Sequence, residues 1–264
     1  MGNGFSVQTN INVIVHNTRV FRNQTERTIT TPFESLLSYN VPIKFDKSQA
    51  IIFCNSYERT PHALGEPAKN DGVLAFEKLT EEGYSCLMFH DVKKKFITDT
   101  LKNLLSSDAE RILVYYIGHG VNTYTSDAKY EKSGADSAFY AMDGLVVDNE
   151  LRNIINSSLK KNRQVRLISD CCHSGSMYDL EEKDFREYNI ISIGACGDRQ
   201  TAKQDYICRR GNGVFSYYFW KYYTKDITLS ELLSKVNEKL QSYRQRCESS
   251  IDNLIIQNET FKVL

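Results

Sequence analysis

Two stretches decide the fold: Ile112-Leu113-Val114-Tyr115-Tyr116-Ile117-Gly118-His119-Gly120 and Val165-Arg166-Leu167-Ile168-Ser169-Asp170-Cys171-Cys172-His173-Ser174-Gly175. Each is an apolar, β-branched and aromatic run that breaks abruptly into a small polar loop, the pattern of a buried strand and its carboxyl end. Working outward, similar runs occur at Ala50-Ile51-Ile52-Phe53-Cys54, Cys86-Leu87-Met88-Phe89, Ala138-Phe139-Tyr140 and Ile190-Ile191-Ser192-Ile193. Between them apolar residues recur at helical spacing: Val73, Phe76 and Leu79; Ile97, Leu101, Leu104 and Leu105; Leu151, Ile154 and Ile155; Leu229, Leu232, Leu233, Val236 and Leu240. The alternation predicts an α/β domain with a mostly parallel central sheet and helices on both faces. Such sheets gather their chemistry at the carboxyl ends of the strands, where the loops carrying His119 and Cys172 begin.

The 264 residues are 41% hydrophobic and 25% charged, enough for one domain with a real core. Lys plus Arg and Asp plus Glu both number 33. No global field therefore draws the chain to nucleic acid or an anionic membrane. Seven unpatterned cysteines, without an apolar run suited to secretion or membrane spanning, point to a reducing compartment and a cytoplasmic protein. Residues 47–264 are expected to form the domain. Residues 1–46 read as an arm with one edge strand, where Ile11, Val13 and Val15 alternate.

A free thiol is only a few per cent ionised at neutral pH, so a nucleophilic cysteine needs a neighbouring base. His119, flanked by two glycines, is the candidate base. The amides of Gly120 and Cys172 are candidates for an oxyanion hole. A structural zinc site is a poor alternative, because Cys171, Cys172 and His173 are contiguous and lack the usual gaps. Adjacent side chains leaving a strand point to opposite faces, so only one of Cys171 and Cys172 faces the crevice.

The His119 loop and the Asp170-Cys171-Cys172-His173-Ser174-Gly175-Ser176 loop resemble those of the metacaspases, peptidases of the caspase-like fold. The resemblance extends over about residues 48–264, taking in Gly194-Ala195-Cys196, Gln200-Thr201-Ala202 and Gly213-Val214-Phe215-Ser216-Tyr217. It implies a cysteine endopeptidase with Cys172 as nucleophile and His119 as base, acting on proteins or peptides after Arg or Lys. Asp71 and Asp170 would form the acidic specificity pocket, and two carboxylates in one slot suit a guanidinium. The family often has Ser at Ile117 and Cys at Ala68, which leaves the order of Arg and Lys open. The resemblance also implies activation by calcium through Asp136, Asp148 and Asp179. Asn149 replaces a usual carboxylate, so the site should be weak.

A catalytically silent interaction module of the same fold and an Asp-specific protease are the alternatives, along with an acyl transferase using the same thioester. Lys183 and Arg186, in a charged segment, are candidate self-cleavage sites. The long linker and the Pro-rich extension of some family members are missing, so a compact monomeric core is expected. Met1-Gly2-Asn3-Gly4-Phe5-Ser6 fits the N-myristoylation pattern, which would give weak, peripheral membrane association through Gly2.

Overall fold

The computed structural model describes residues 12–14, 19–22, 25–27, 44–123, 135–180, 185, 187–208, 210–250 and 263–264. In the arm, β1 (Asn12–Ile14), β2 (Arg19–Arg22) and β3 (Thr25–Arg27) form an antiparallel sheet of their own. The edge strand expected around Val13 pairs with its immediate successor, and among the described residues no pairing joins it to the central sheet; Ile11 and Val15 lie outside the described residues.

The domain then runs β4 (Ser48–Cys54), α1 (Glu66–Glu81), β5 (Ser85–His90), α2 (Lys94–Ser106), β6 (Arg111–Ile117), β7 (Gly120–Thr123), β8 (Asp136–Ala141) and β9 (Gly144–Val147). It continues through α3 (Asp148–Ser158), β10 (Gln164–Asp170), β11 (Asn189–Gly194), β12 (Gln204–Ile207) and β13 (Arg210–Gly213). Helices α4 (Val214–Tyr222) and α5 (Leu229–Leu240) and strand β14 (Glu248–Ser249) complete it. The central sheet has the order β5-β4-β6-β10-β11-β14, parallel throughout except for β14.

Alternation along the strands explains why both faces are covered. Ala50, Ile52, Leu113, Tyr115, Ile168 and Ile193 pack with Ala75 and Leu79 of α1, Phe215 and Phe219 of α4, and Leu232 and Val236 of α5. On the other face, Ile51, Phe53, Val114, Tyr116 and Leu167 pack with Ile97, Leu101 and Leu104 of α2 and with Leu151 and Ile155 of α3. Helix α5 starts on a capping box in which Thr228 and Glu231 each bond the other's backbone amide, worth about 1 kcal/mol. Pro67 in the first turn fixes the start of α1 at Glu66.

Two sequence expectations are corrected here. The Ala138-Phe139-Tyr140 run is not part of the central sheet: it lies in β8, the middle strand of a small antiparallel sheet with β7 and β9. Its composition marks a buried strand, but a run of this length does not say which sheet it joins. The helix predicted by the Val73, Phe76 and Leu79 spacing begins further upstream, at Glu66, so Asp71 lies in its second turn and not at its start.

Candidate active site

From β4 the chain steps outward to β5, then returns to place β6 on the other side of β4. The strand order therefore reverses between β4 and β6, and open sheets bind ligands at such a switch point. The loops after β4, β6 and β10 all open there. Strand β6 is paired with β10 up to Ile117 opposite Asp170, and the Gly118 N–H then donates to the Asp170 carbonyl at 3.3 Å. The histidine and cysteine loops thus leave neighbouring strands at the same level. Their backbones touch at Gly120, where any Cβ would overlap the carbonyl of Cys172 and lie 2.9 Å from Cys171 Sγ.

The His119 imidazole is held by a backbone group that the sequence does not announce. Its Nε2 lies 2.8 Å from the carbonyl oxygen of His62. A carbonyl only accepts, so Nε2 carries the proton and the neutral ring keeps its lone pair on Nδ1. The ring also stacks on Tyr57, at 4.8 Å between centroids, and meets Tyr140 edge-on. Among the described residues no hydrogen bond joins the imidazole to the Cys172 thiol; such contacts often close only around a substrate.

Cys172 is half-buried, whereas Cys171 and Cys196 are buried. Burial pushes the Cys172 thiol above its ordinary range, while the Ala202 amide, Lys203 and the Cys172 amide pull it back. Cys171 is held well above that range, mainly by burial, and Cys196 is pushed up to about 11 for the same reason. Cys172 is thus the accessible thiol of the three. Gly120 sits opposite Phe139, and the flanking bond runs from the Tyr140 N–H to the His119 carbonyl at 3.1 Å. That makes Gly120 and Phe139 a non-hydrogen-bonded pair, so the Gly120 N–H is left out of the β7–β8 ladder.

Asp71 and Asp170 converge although 99 positions separate them in sequence. A Cβ built on Gly213 would lie 2.7 Å from Asp170 Oδ2 and 2.8 Å from Asp71 Oδ2. The Gly213 N–H donates to Asp71 Oδ2 at 2.6 Å, and both the hydroxyl and the N–H of Ser216 donate to Asp170 Oδ2 at 2.5 and 3.2 Å. Tyr115 in turn hydrogen-bonds Ser216 Oγ at 2.7 Å. Asp71 Oδ1 is buried with no hydrogen-bond partner among the described residues. Asp71 is held well above the ordinary carboxylate range, by burial first and by Asp170 second, and burial pushes Asp170 up to about 6.

Asp136, Asp148, Asn149 and Asp179 lie in one neighbourhood. The Ser137 and Asn149 N–H groups donate to Asp148 at 2.5 and 2.7 Å, and Asn149 Nδ2 reaches Asp136 Oδ1 at 3.4 Å. Asp148 is pushed up to about 7, by burial first, then by Asp179, with Asp136 adding a smaller part. A groove of about 670 Å³ beside α2 and α3 is lined in part by Asp136 and Asn149. Among the described residues no three His, Cys, Asp or Glu side chains are gathered closely enough to hold a metal ion as they stand. Gly2, Lys183 and Arg186 lie outside the described residues.

A parallel sheet presenting a histidine loop and a cysteine loop from adjacent strand ends defines the class of caspase-like thiol peptidases. The caspase-domain family profile matches residues 47–258, and the chain belongs to that family of cysteine peptidases as a metacaspase-like member. It is 31% identical over 108 residues to inactive metacaspase-4 of Trypanosoma brucei brucei, covering 38% of this chain and 30% of that protein. It is 29% identical over 115 residues to metacaspase-2 of the same organism, covering 34% and 33%. The chain thus spans about a third of the length of these curated relatives. Caspase-1 from Spodoptera frugiperda shares the fold with a TM-score of 0.55 at 15% identity, over 80% of this chain and 88% of that one.

Proposed function

We infer that the chain is an endopeptidase that cleaves after Arg or Lys, with Cys172 as nucleophile and His119 as base. The observation that carries this reading is the buried Asp71–Asp170 pair, whose carboxylates meet at Gly213 with one oxygen of Asp71 unpartnered. Two like charges held together out of water are costly unless a cation joins them, and a guanidinium matches both geometrically. An aspartate side chain would meet repulsion in the same slot, which speaks against the Asp-specific alternative.

In this reading, His119 Nδ1 takes the Cys172 proton while its Nε2–H stays on the His62 carbonyl, so the ring is oriented throughout. The thiolate attacks the scissile carbonyl carbon, and the developing oxyanion is met by the N–H groups of Gly120 and Cys172. The imidazolium then returns its proton to the leaving amine, and water releases the acyl group from Cys172.

Calcium belongs to the same proposal. The donor set is all oxygen and suits a hard cation. Asp136, Asp148 and Asp179, with the Asn149 amide, would hold it, and the ion would supply the positive charge that their crowding lacks. Asp179 follows the cysteine loop by a few residues, so fixing it would order the segment from His173 to Tyr178. The replacement of a carboxylate by Asn149 and the spacing of the side chains favour a millimolar site.

The silent-module alternative takes support from one similar protein being described as inactive. Peptide libraries varied only before the scissile bond separate the readings. Arg and Lys peptides should be cleaved and Asp peptides spared; equal cleavage after Asp would refute the pocket assignment.

A further inference from the structure

His119 is gripped by more than the His62 carbonyl. Tyr57, on the loop after β4, has its hydroxyl 2.8 Å from the His119 N–H, which donates to it, and donates in turn to the Tyr140 carbonyl at 2.6 Å. Tyr116, the penultimate residue of β6, donates to the His119 carbonyl at 3.0 Å, and the two tyrosine oxygens are 3.1 Å apart. Both tyrosines are fully buried. The N–H and the carbonyl of His119 are thus both taken up by tyrosine hydroxyls, and the ring of Tyr57 lies against the imidazole face at 30°.

Tyr57 is itself built in at a conformational cost. Its φ is 55°, an unusual value for an aromatic residue. It is kept there by Asp91, whose carboxylate accepts from the N–H groups of Tyr57 at 2.7 Å and Glu58 at 3.2 Å. The Tyr57 carbonyl accepts from both the N–H and the hydroxyl of Thr60, and this turn leads into His62. One short loop therefore delivers the hydroxyl, the aromatic face and the carbonyl that hold His119.

We propose that Tyr57 is a positioning residue for His119, fixing its backbone through the hydroxyl and its ring plane through stacking so that Nδ1 is presented to Cys172. This rests on the peptidase reading above. A one-ångström error in such a presentation costs on the order of 100-fold in rate without weakening substrate binding.

The test compares Tyr57→Phe, which keeps the ring, with Tyr57→Leu, which loses both contacts. Three quantities are read: kcat and KM on an Arg peptide, the rate at which iodoacetamide alkylates Cys172 as followed by mass spectrometry, and the unfolding temperature. Expected is a fall in kcat of about 10-fold in the Phe variant and about 100-fold in the Leu variant, with KM within about 2-fold. Alkylation of Cys172 should slow in the same order, since it reports thiolate formation with His119 and needs no peptide turnover. Wild-type kcat and alkylation in the Phe variant would overturn the hydroxyl's role. Wild-type values in folded Leu variant, or a loss confined to KM, would overturn the proposal altogether. Should Tyr57→Leu fail to fold, the Phe variant decides. Should the wild-type chain cleave no peptide, the peptidase reading fails, and the alkylation series alone still supports or overturns the positioning role.

Discussion

Replacing Asp71 with Asn removes one of the two buried carboxyl groups that can pair with a cation while keeping the shape of the pocket. An Asn oxygen can accept from the Gly213 N–H as Asp71 Oδ2 does at 2.6 Å, so the hairpin carrying Gly213 keeps its anchor. Asp71 is held above the ordinary carboxylate range by burial and by Asp170, so the neutral side chain relieves an unfavourable burial. Stability should therefore be unchanged or higher. Substrate recognition moves the other way: a charge-assisted hydrogen bond is worth roughly 1.5–3 kcal/mol, and half of a guanidinium fork loses its charged partner. The cost is about 3 kcal/mol at the upper end, or roughly 100-fold in kcat/KM. The assay is kcat/KM on two peptides that differ only in Arg or its neutral analogue citrulline before the scissile bond. Asp71→Asn should lower the Arg value and leave citrulline nearly unchanged. An unaltered Arg-to-citrulline ratio would refute the reasoning, because the carboxylate would then not face the substrate cation.

The same pocket predicts a pH limb. Asp170 is pushed up to about 6, so it gains a proton and loses its charge as pH falls through that value. On the acid side the kcat/KM for Arg peptides should fall more steeply than that for citrulline peptides, which do not need the pocket's charge, with Asp71 losing its charge as well as Asp170; identical profiles would contradict it. Gly118→Ala places a Cβ 2.8 Å from both the Tyr57 and Tyr116 hydroxyl oxygens, so it should cost about 1–3 kcal/mol of stability and reduce kcat, read by denaturant melts and turnover. Calcium at ten times a millimolar Kd should stabilise the fold by about 1.4 kcal/mol, roughly 3–6 °C in Tm. Both this shift and any activation should vanish in Asp148→Ala and Asp179→Ala, and full activity in excess chelator would show that the cation is dispensable.

Much of this architecture is legible in the sequence because both faces of a parallel sheet are buried. Runs such as Ile112–Ile117 and Val165–Ile168 are continuous enough to mark strands, and their abrupt ends mark the histidine and cysteine loops. Strand geometry tells that only one of Cys171 and Cys172 can face the crevice; which of the two it is comes from the family resemblance, and Cys172 is the more accessible of the pair. The sheet membership of Ala138–Tyr140 was not legible, since it depends on pairing with Gly120–Thr123 and Gly144–Val147, whose compositions are unremarkable. The start of α1 was missed because the apolar pattern begins at Val73, whereas Pro67 sets the first turn.

Tyr57 and His62 carry no local signal for a different reason. They reach His119 across some sixty residues, and one of the contacts is a backbone carbonyl, which side-chain chemistry cannot reveal. The available clue was topological: the Ala50–Cys54 strand also ends at the switch point, so the loop that follows it faces the same crevice. Convergence of Asp71 with Asp170 likewise depends on Gly213 and Ser216, which arrive from the far end of the chain.

The most direct test is cleavage of one Arg peptide by the wild-type chain, Cys172→Ala and Cys171→Ala, with products identified by mass. The expected result is hydrolysis on the carboxyl side of Arg by the wild type and by Cys171→Ala, with at least about 1,000-fold loss in Cys172→Ala. Turnover that survives in Cys172→Ala, or that disappears in Cys171→Ala alone, would contradict the assignment of the nucleophile.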